Sequence, residues 1–249
     1  MNTVMITRVD ETQWQARAGE LIVGHGDVSA RPDGRHFVSI DVWDDAAFDP
    51  LAGAMLAALP TPLHTLVAGD DPELASRWEQ AGFAPERREW EYVLATGAAP
   101  AAPAGVTVLP AGTAEERELR RLDQAVRAEV EADRGWHTMP AEVRPGPPGD
   151  TLIDPSLYAV AVHGGEYAGL IRVVRSRKGT ARIGLLAVRE AHRRQGLGRA
   201  LLAHALGDLH RTGVTTAWAE IDETNTAATA LFEHFGAERS DHVLHLVRR

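Results

Sequence analysis

Residues 193–198 read Arg-Arg-Gln-Gly-Leu-Gly. They fall between an apolar run, Arg182 to Val188, and a stripe of Leu197, Leu201, Ala205 and Leu209 at helical spacing. Glycine lets a backbone approach a ligand closely and take up φ values that other residues avoid. The first turn of a helix leaves amides unpaired and carries partial positive charge. A glycine-bearing bend that opens a helix is therefore suited to hold a phosphate group. Arg193, Arg194 and Arg199 add positive charge, while Gln195, Gly196, Leu197 and Gly198 supply backbone amides. The spacing is not the Gly-x-Gly-x-x-Gly of dinucleotide folds, and no Gly-Lys-Ser/Thr follows as in a P-loop. The plain alternative is a tight turn whose arginines contact solvent.

A second group of residues could handle protons. Glu129, Glu131 and Asp133 lie near the end of a helix marked by Leu119, Leu122, Val126 and Val130, and His137 follows in Gly135-Trp-His. Such acids could accept a proton or attract a cationic amine; a solvated helix face is the competing reading. Glu220 sits on the alternating strand Ala217 to Ile221, where an exposed carboxylate is the simpler interpretation.

These residues need a scaffold. The segment Thr96 to Gly105 is Pro- and Ala-rich, uncharged and without large apolar side chains, so it reads as a linker between residues 1–95 and 106–249. Beyond it, strands are expected at Val106–Leu109, Leu157–Val162, Tyr167–Val174, Arg182–Val188, Thr215–Ile221 and His242–Val247. A capping box at Thr113 to Glu116 should start the first helix, Gly213 should end the second, and Ala228, Leu231, Phe232 and Phe235 mark a third. The order β-α-β-β-β-α-β-α-β implies an α/β fold with a mixed sheet.

Composition narrows the function. The chain has 249 residues and a formal net charge of -9, which argues against general nucleic-acid binding. With no cysteine there is no thiol nucleophile, disulfide or Cys-ligated zinc, and no metal is expected. No apolar stretch reaches membrane-span length and Met1 to Asp10 lacks a signal-peptide pattern, so a cytoplasmic protein without membrane contact is expected. Lys178 is the lone lysine, a bias that suggests a GC-rich bacterial genome.

Two motifs carry a family resemblance. Arg193-x-x-Gly196-x-Gly198 resembles the signature that follows the fourth strand of GCN5-related N-acetyltransferases (GNAT), with Leu186-Ala-Val188 before it. Asn225-x-x-Ala228-x-x-Leu231-Phe232, with Gly236 after it, is similar to the family's second motif. The resemblance covers about residues 105–249. It implies a mixed, mostly antiparallel sheet with flanking helices, and acetyl-CoA or another acyl-CoA as donor. Residues Arg194 to Arg199 would hold the pyrophosphate, with Arg193 completing the motif. The strand edge at Leu186, Ala187 and Val188 would pair with the pantetheine arm, in the gap where the fourth and fifth strands splay. Asn225 would also stand at the cofactor, Phe232 would pack against the cofactor or the core, and Glu131, Asp133 and His137 would line the acceptor pocket. Glu220 matches the place of the base glutamate in bacterial ribosomal-protein alanine acetyltransferases. The family's usual tyrosine, which protonates the leaving thiolate, aligns with Phe232; Tyr158, another donor, water or departure as a free thiolate must replace it.

Residues 1–95 resemble a degenerate copy. Trp78 to Phe83 can be laid on Phe232 to Ala237, and Phe37 to Trp43 on Arg182 to Val188. When Met55-Leu56 is set on Leu201-Leu202, Arg193 falls on Ala47, Gln195 on Asp49, Gly196 on Pro50 and Gly198 on Ala52. Proline removes an amide and carboxylates repel phosphate, so this copy should not bind CoA. Two tandem domains of this type resemble the mycothiol synthases. The expected function is transfer of acetyl from acetyl-CoA to a primary amine of a small molecule. Acetylation of a protein N-terminus and non-catalytic acyl-CoA sensing are the alternatives, and the oligomeric state, monomer or homodimer, stays open.

Overall fold

The computed structural model describes residues 4–31, 34–97, 103–133, 135, 153–176 and 179–249. Contacts divide the chain into two units, Met1–Glu89 with Asp241–Arg249, and Trp90–Ser240.

The first unit contains β1 (Val4–Arg8), β2 (Gln13–Ala18), β3 (Leu21–Ala30), β4 (His36–Val42), α1 (Phe48–Ala58), β5 (Leu63–Ala68) and α2 (Pro72–Gln80). It also holds the start of β6 (Ala84–Ala95) and most of the last strand of the chain. Strands β1 to β4 form an antiparallel meander. Strand β5 returns through α1 and lies parallel to β4, with register pairs only at His36↔Leu63 and Phe37↔His64. Trp14, Val38, Phe48, Leu51, Leu63, Val67 and Trp78 form its core.

The second unit contains β7 (Val106–Leu109), α3 (Glu116–Asp133), β8 (Tyr158–His163), β9 (Glu166–Arg175), β10 (Thr180–Val188), α4 (Leu197–Arg211), β11 (Thr216–Asp222) and α5 (Thr226–His234). Its strand order is β6-β11-β10-β9-β8-β7. Helix α4, Ala159, Ile171, Ile183, Ala217 and Ile221 form the core on one face. Leu119, Leu122 and Val126 of α3 cover Tyr158, Val160, Leu170 and Leu185 on the other. Helix α3 is capped by Glu115, whose carboxylate accepts from the amides of Arg117 and Glu118, rather than by the expected Thr113. Thr113 Oγ1 donates instead to Pro110 O, one turn too early to serve the helix.

The last strand, β12 (Glu238–Arg248), changes the expected division of the chain. It pairs antiparallel with β5 from Val243↔Ala68 to Arg248↔Leu63, and Leu246 is fully buried in the first core. Conversely, the second half of β6 belongs to the second unit. There Thr96 donates from N to Thr215 O (3.0 Å) and from Oγ1 to Val214 O (2.6 Å). A Pro- and Ala-rich stretch signals a break in regular structure; it does not say which core the flanking strands join.

Candidate active site

Strand β10 sets the site. It pairs with β9 as far as Val188↔Gly169, but with β11 only at Thr180↔Thr216, Ala181↔Ala217 and Arg182↔Trp218. Past Arg182 the two strands part, so the β11 side of Leu186, Ala187 and Val188 is an open backbone edge. Leu186 and Val188 pack against the α4 core, while Ala187 packs on the α3 side, as strand alternation requires.

The chain then turns into α4. Arg194 has φ +63° and is the sole non-glycine residue with positive φ among the described residues. Gly196 has φ +84°, and a Cβ there would also lie 2.8 Å from Pro103 Cγ, so glycine is required twice over. No side chain caps α4. The Ala200 amide donates to Gly196 O at 3.0 Å. Among the described residues, the amides of Arg194 to Arg199 have no acceptor in the chain. Arg194, Gln195 and Arg199 are exposed, whereas Leu197 is buried as the helix's first anchor. Gln195 Nε2 donates to Ala191 O at 3.4 Å. Arg193 turns back, with Nε donating to Val188 O at 3.3 Å and its guanidinium 3.7 Å from Glu129. An array of free amides flanked by two outward arginines has the chemistry that an anion requires.

Glu220 lies two residues beyond the last β10–β11 pair. Ala219 and Ile221 face the α4 core, which puts Glu220 on the opposite face. Arg182 donates to one of its carboxylate oxygens and stacks over Trp218, 5.1 Å from the ring centroid.

The profile of the acetyltransferase (GNAT) family matches residues 120–237, which take in most of α3, the turn and all of α5. Residues 120–237 are a GNAT-family acetyltransferase domain. The [ribosomal protein bS18]-alanine N-acetyltransferase of Escherichia coli strain K12 is 49% identical over 51 residues, 20% of this chain and 34% of the relative. The chain thus spans about a third of the length of that curated relative. The mycothiol acetyltransferase of Salinispora arenicola is 32% identical over 208 residues, 78% of this chain and 66% of the relative. A solved tandem GNAT protein from the clavulanic acid biosynthesis pathway superposes with a TM-score of 0.64 at 18% identity, covering 94% of this chain and 81% of the other, so the likeness of fold extends over both units.

The GNAT domain does not bring all the expected residues together. Phe232 is 3% exposed and packs in the α4 core, so it stabilises the domain rather than lining a surface cleft. Asn225 is the N-cap of α5, its side-chain oxygen accepting from Ala228 N at 3.2 Å. Tyr158 is 2% exposed beneath α3. Burial and then the charge of Asp123 push its hydroxyl above the usual tyrosine range, against the opposing pull of Arg172. It is on β8, two strands from the β10 edge, or roughly 10 Å at normal strand spacing. The side chain is buried in the core under α3. Glu131 and Asp133 are exposed at the end of α3, and His137 lies outside the described residues.

Sequence reasoning missed Arg182, Arg189 and the role of Glu129. The Glu129 carboxylate accepts from Arg189 Nε (2.6 Å) and from the Glu190 amide (2.8 Å). Burial opposes its ionisation, but those hydrogen bonds and the charges of Arg189 and Arg193 outweigh it and hold the carboxyl below the usual range. The i, i+3 step from Val126 put Glu129 on the inward face of α3, which was the available signal.

Proposed function

We propose that this protein transfers an acetyl group from acetyl-CoA to a primary amine of a small molecule, by direct attack within a ternary complex. The observation that carries the reading is the row of acceptor-free amides at Arg194 to Arg199 beside the parted strands β10 and β11. Acetyl-CoA supplies an activated thioester. The amides of the turn, with Arg194 and Arg199, bind its diphosphate. The open edge at Leu186 to Val188 pairs with the pantetheine arm and aims a backbone donor at the carbonyl oxygen, where charge develops. Glu220, oriented by Arg182, takes a proton from the acceptor's ammonium, directly or through water, and leaves the neutral amine that attacks the thioester. The thiolate departs without a tyrosine donor, which its ordinary pKa of about 8.5 permits. Glu131, Asp133 and His137 are the proposed acceptor-side groups.

The first unit is proposed to be a degenerate copy that serves as scaffold. The similarity to the mycothiol acetyltransferase, which extends over 78% of the chain, supports a small-molecule acceptor and a tandem arrangement. A second reading, acetylation of a protein N-terminal alanine, is favoured by the 49% identity to the bS18 enzyme over its short match. The proposed setting is the bacterial cytoplasm.

The test is incubation with acetyl-CoA and a panel of amino sugars, polyamines, amino-acid derivatives and alanine-initiated peptides, read as thiol release and a mass gain of one acetyl group. Turnover on a small amine with none on peptides supports the first reading, and the reverse supports the second. CoA binding with no turnover on any amine would leave a sensor. Glu220→Gln should lower kcat by roughly 100-fold or more below the pH at which the amine deprotonates unaided; an unchanged pH–rate profile removes Glu220 as base.

A further inference from the structure

Glu129 is a carboxylate beside a site proposed to bind an anion, and simple electrostatics makes that an unfavourable neighbour. Its geometry explains its presence. Both oxygens are used on the segment that leads into the turn, one on Arg189 Nε and the other on the Glu190 amide. The side chain is 19% exposed, so these are partly desolvated, charge-assisted contacts. Arg189 is itself tied to the sheet, its amide donating to Ala168 O at 2.9 Å. Arg193 is drawn toward the same carboxylate and toward Val188 O. Arg194 therefore follows a fixed residue and is held at positive φ, a conformation that costs energy and persists only where its neighbours impose it.

We propose that Glu129 is a positioning residue. From the end of α3 it fixes residues 189–193, and thereby presents the Arg194–Arg199 amides and the side chains of Arg194 and Arg199 to the diphosphate of the acyl donor. This rests on the diphosphate reading given above. It also assigns the roles of two arginines: Arg189 and Arg193 neutralise Glu129, and Arg194 and Arg199 face the ligand. A consequence is that the helix ending in Glu131 and Asp133, the proposed acceptor side, also sets the donor side.

The test compares wild type, Glu129→Ala, Glu129→Gln, Arg189→Ala and Glu129→Ala/Arg189→Ala by calorimetric titration with CoA, steady-state kinetics and thermal melting. Glu129→Ala should weaken CoA binding about tenfold and raise the KM for acetyl-CoA to match, with kcat changed by less than about twofold. Glu129→Gln keeps one acceptor for the Glu190 amide and should fall between wild type and Glu129→Ala. The double variant should bind no worse than the weaker single variant, because both remove one interaction. If wild type binds CoA and Glu129→Ala binds it equally well, the positioning role is wrong. If kcat, KM and melting all deteriorate together and Glu129→Gln gives no rescue, Glu129 is only a strut of the fold. If wild type itself does not bind CoA, the failure lies in the diphosphate reading.

Discussion

The two units make the same passage from strand to helix to parallel strand, and they treat the turn between strand and helix in opposite ways. In each, the parallel pair opens almost at once: β4 and β5 have two register pairs, β10 and β11 three. After β10 the turn has positive φ at Arg194 and Gly196, no side-chain cap, and amides without acceptors among the described residues. After β4 the turn satisfies itself. Asp44 Oδ1 accepts from the Ala46 amide, the Ala47 amide donates to Asp44 O, and the Phe48 amide to Asp45 O. Asp45 and Asp49 add negative charge at this turn, and Pro50 has no amide to offer. One backbone route thus carries an open turn or a closed one, and side chains at a handful of positions decide which.

The helix ends show likeness where the turns show difference. Phe83 N donates to Trp78 O and Gly82 N to Glu79 O at the end of α2; Ala237 N donates to Phe232 O and Gly236 N to Glu233 O at the end of α5. Both close as Schellman motifs through a positive-φ glycine. This agreement supports reading the first unit as a copy. The departure is at its start, where residues 9–12 join β1 to β2 and α3 joins β7 to β8 in the second unit.

The largest expected effect tests the exchange of strands. A stop codon after Ser240 removes the pairs from Val243 to Arg248 and the buried Leu246 from the first unit. The first unit should lose its fold, read as rapid proteolysis of residues 1–89. An intact first unit after truncation would mean that β12 is dispensable to it.

Next is the pair of turns. Arg194→Ala/Arg199→Ala should weaken CoA binding roughly 100-fold with little change in melting, since both side chains are exposed. Asp45→Ala/Asp49→Ala, at the closed turn, should leave CoA affinity unchanged. Equal effects at both turns would break the comparison. Gly196→Asp is a poorer probe, because its φ and the nearness of Pro103 would destabilise the domain as well.

A smaller effect follows from pH. Glu129 ionises more readily folded than unfolded, so its contribution is present above the unfolded value, near 4.5, and lost as pH falls through the lower folded value. Amide exchange of Arg189, Glu190, His192 and Arg193, which have acceptors in the fold, compared with exchange at an intrinsic-rate standard, should loosen below about pH 4.5 in wild type and show no such step in Glu129→Gln. The smallest change is Asp44→Ala, which removes a side-chain cap and should cost about 1 kcal/mol in denaturant unfolding without altering CoA binding.

Much of this was readable from residue order. The glycine bend, the strand before it and the α4 stripe appear where periodicity put them, because each is a local pattern in its own residues. Three things were not. The partner of β12 is set by register and by the fit of Leu246 into a distant core. Phe232 and Asn225 match a motif whose ligand role and packing role use the same residue types, and packing at Phe232 and capping at Asn225 are what the fold displays. Glu129 was one of several acids near the end of a helix; its step from Val126 marks the inward face, but its partner Arg189, sixty residues later, shows only in the fold. Long-range ion pairs leave no periodic trace.

The most direct measurement is amide hydrogen exchange, resolved to single residues, with and without saturating CoA. The Arg194 to Arg199 amides should become strongly protected and those of residues 44–49 should not change. Unaltered exchange at 194–199 in the CoA-bound protein, or equal protection at the two turns, would contradict the account.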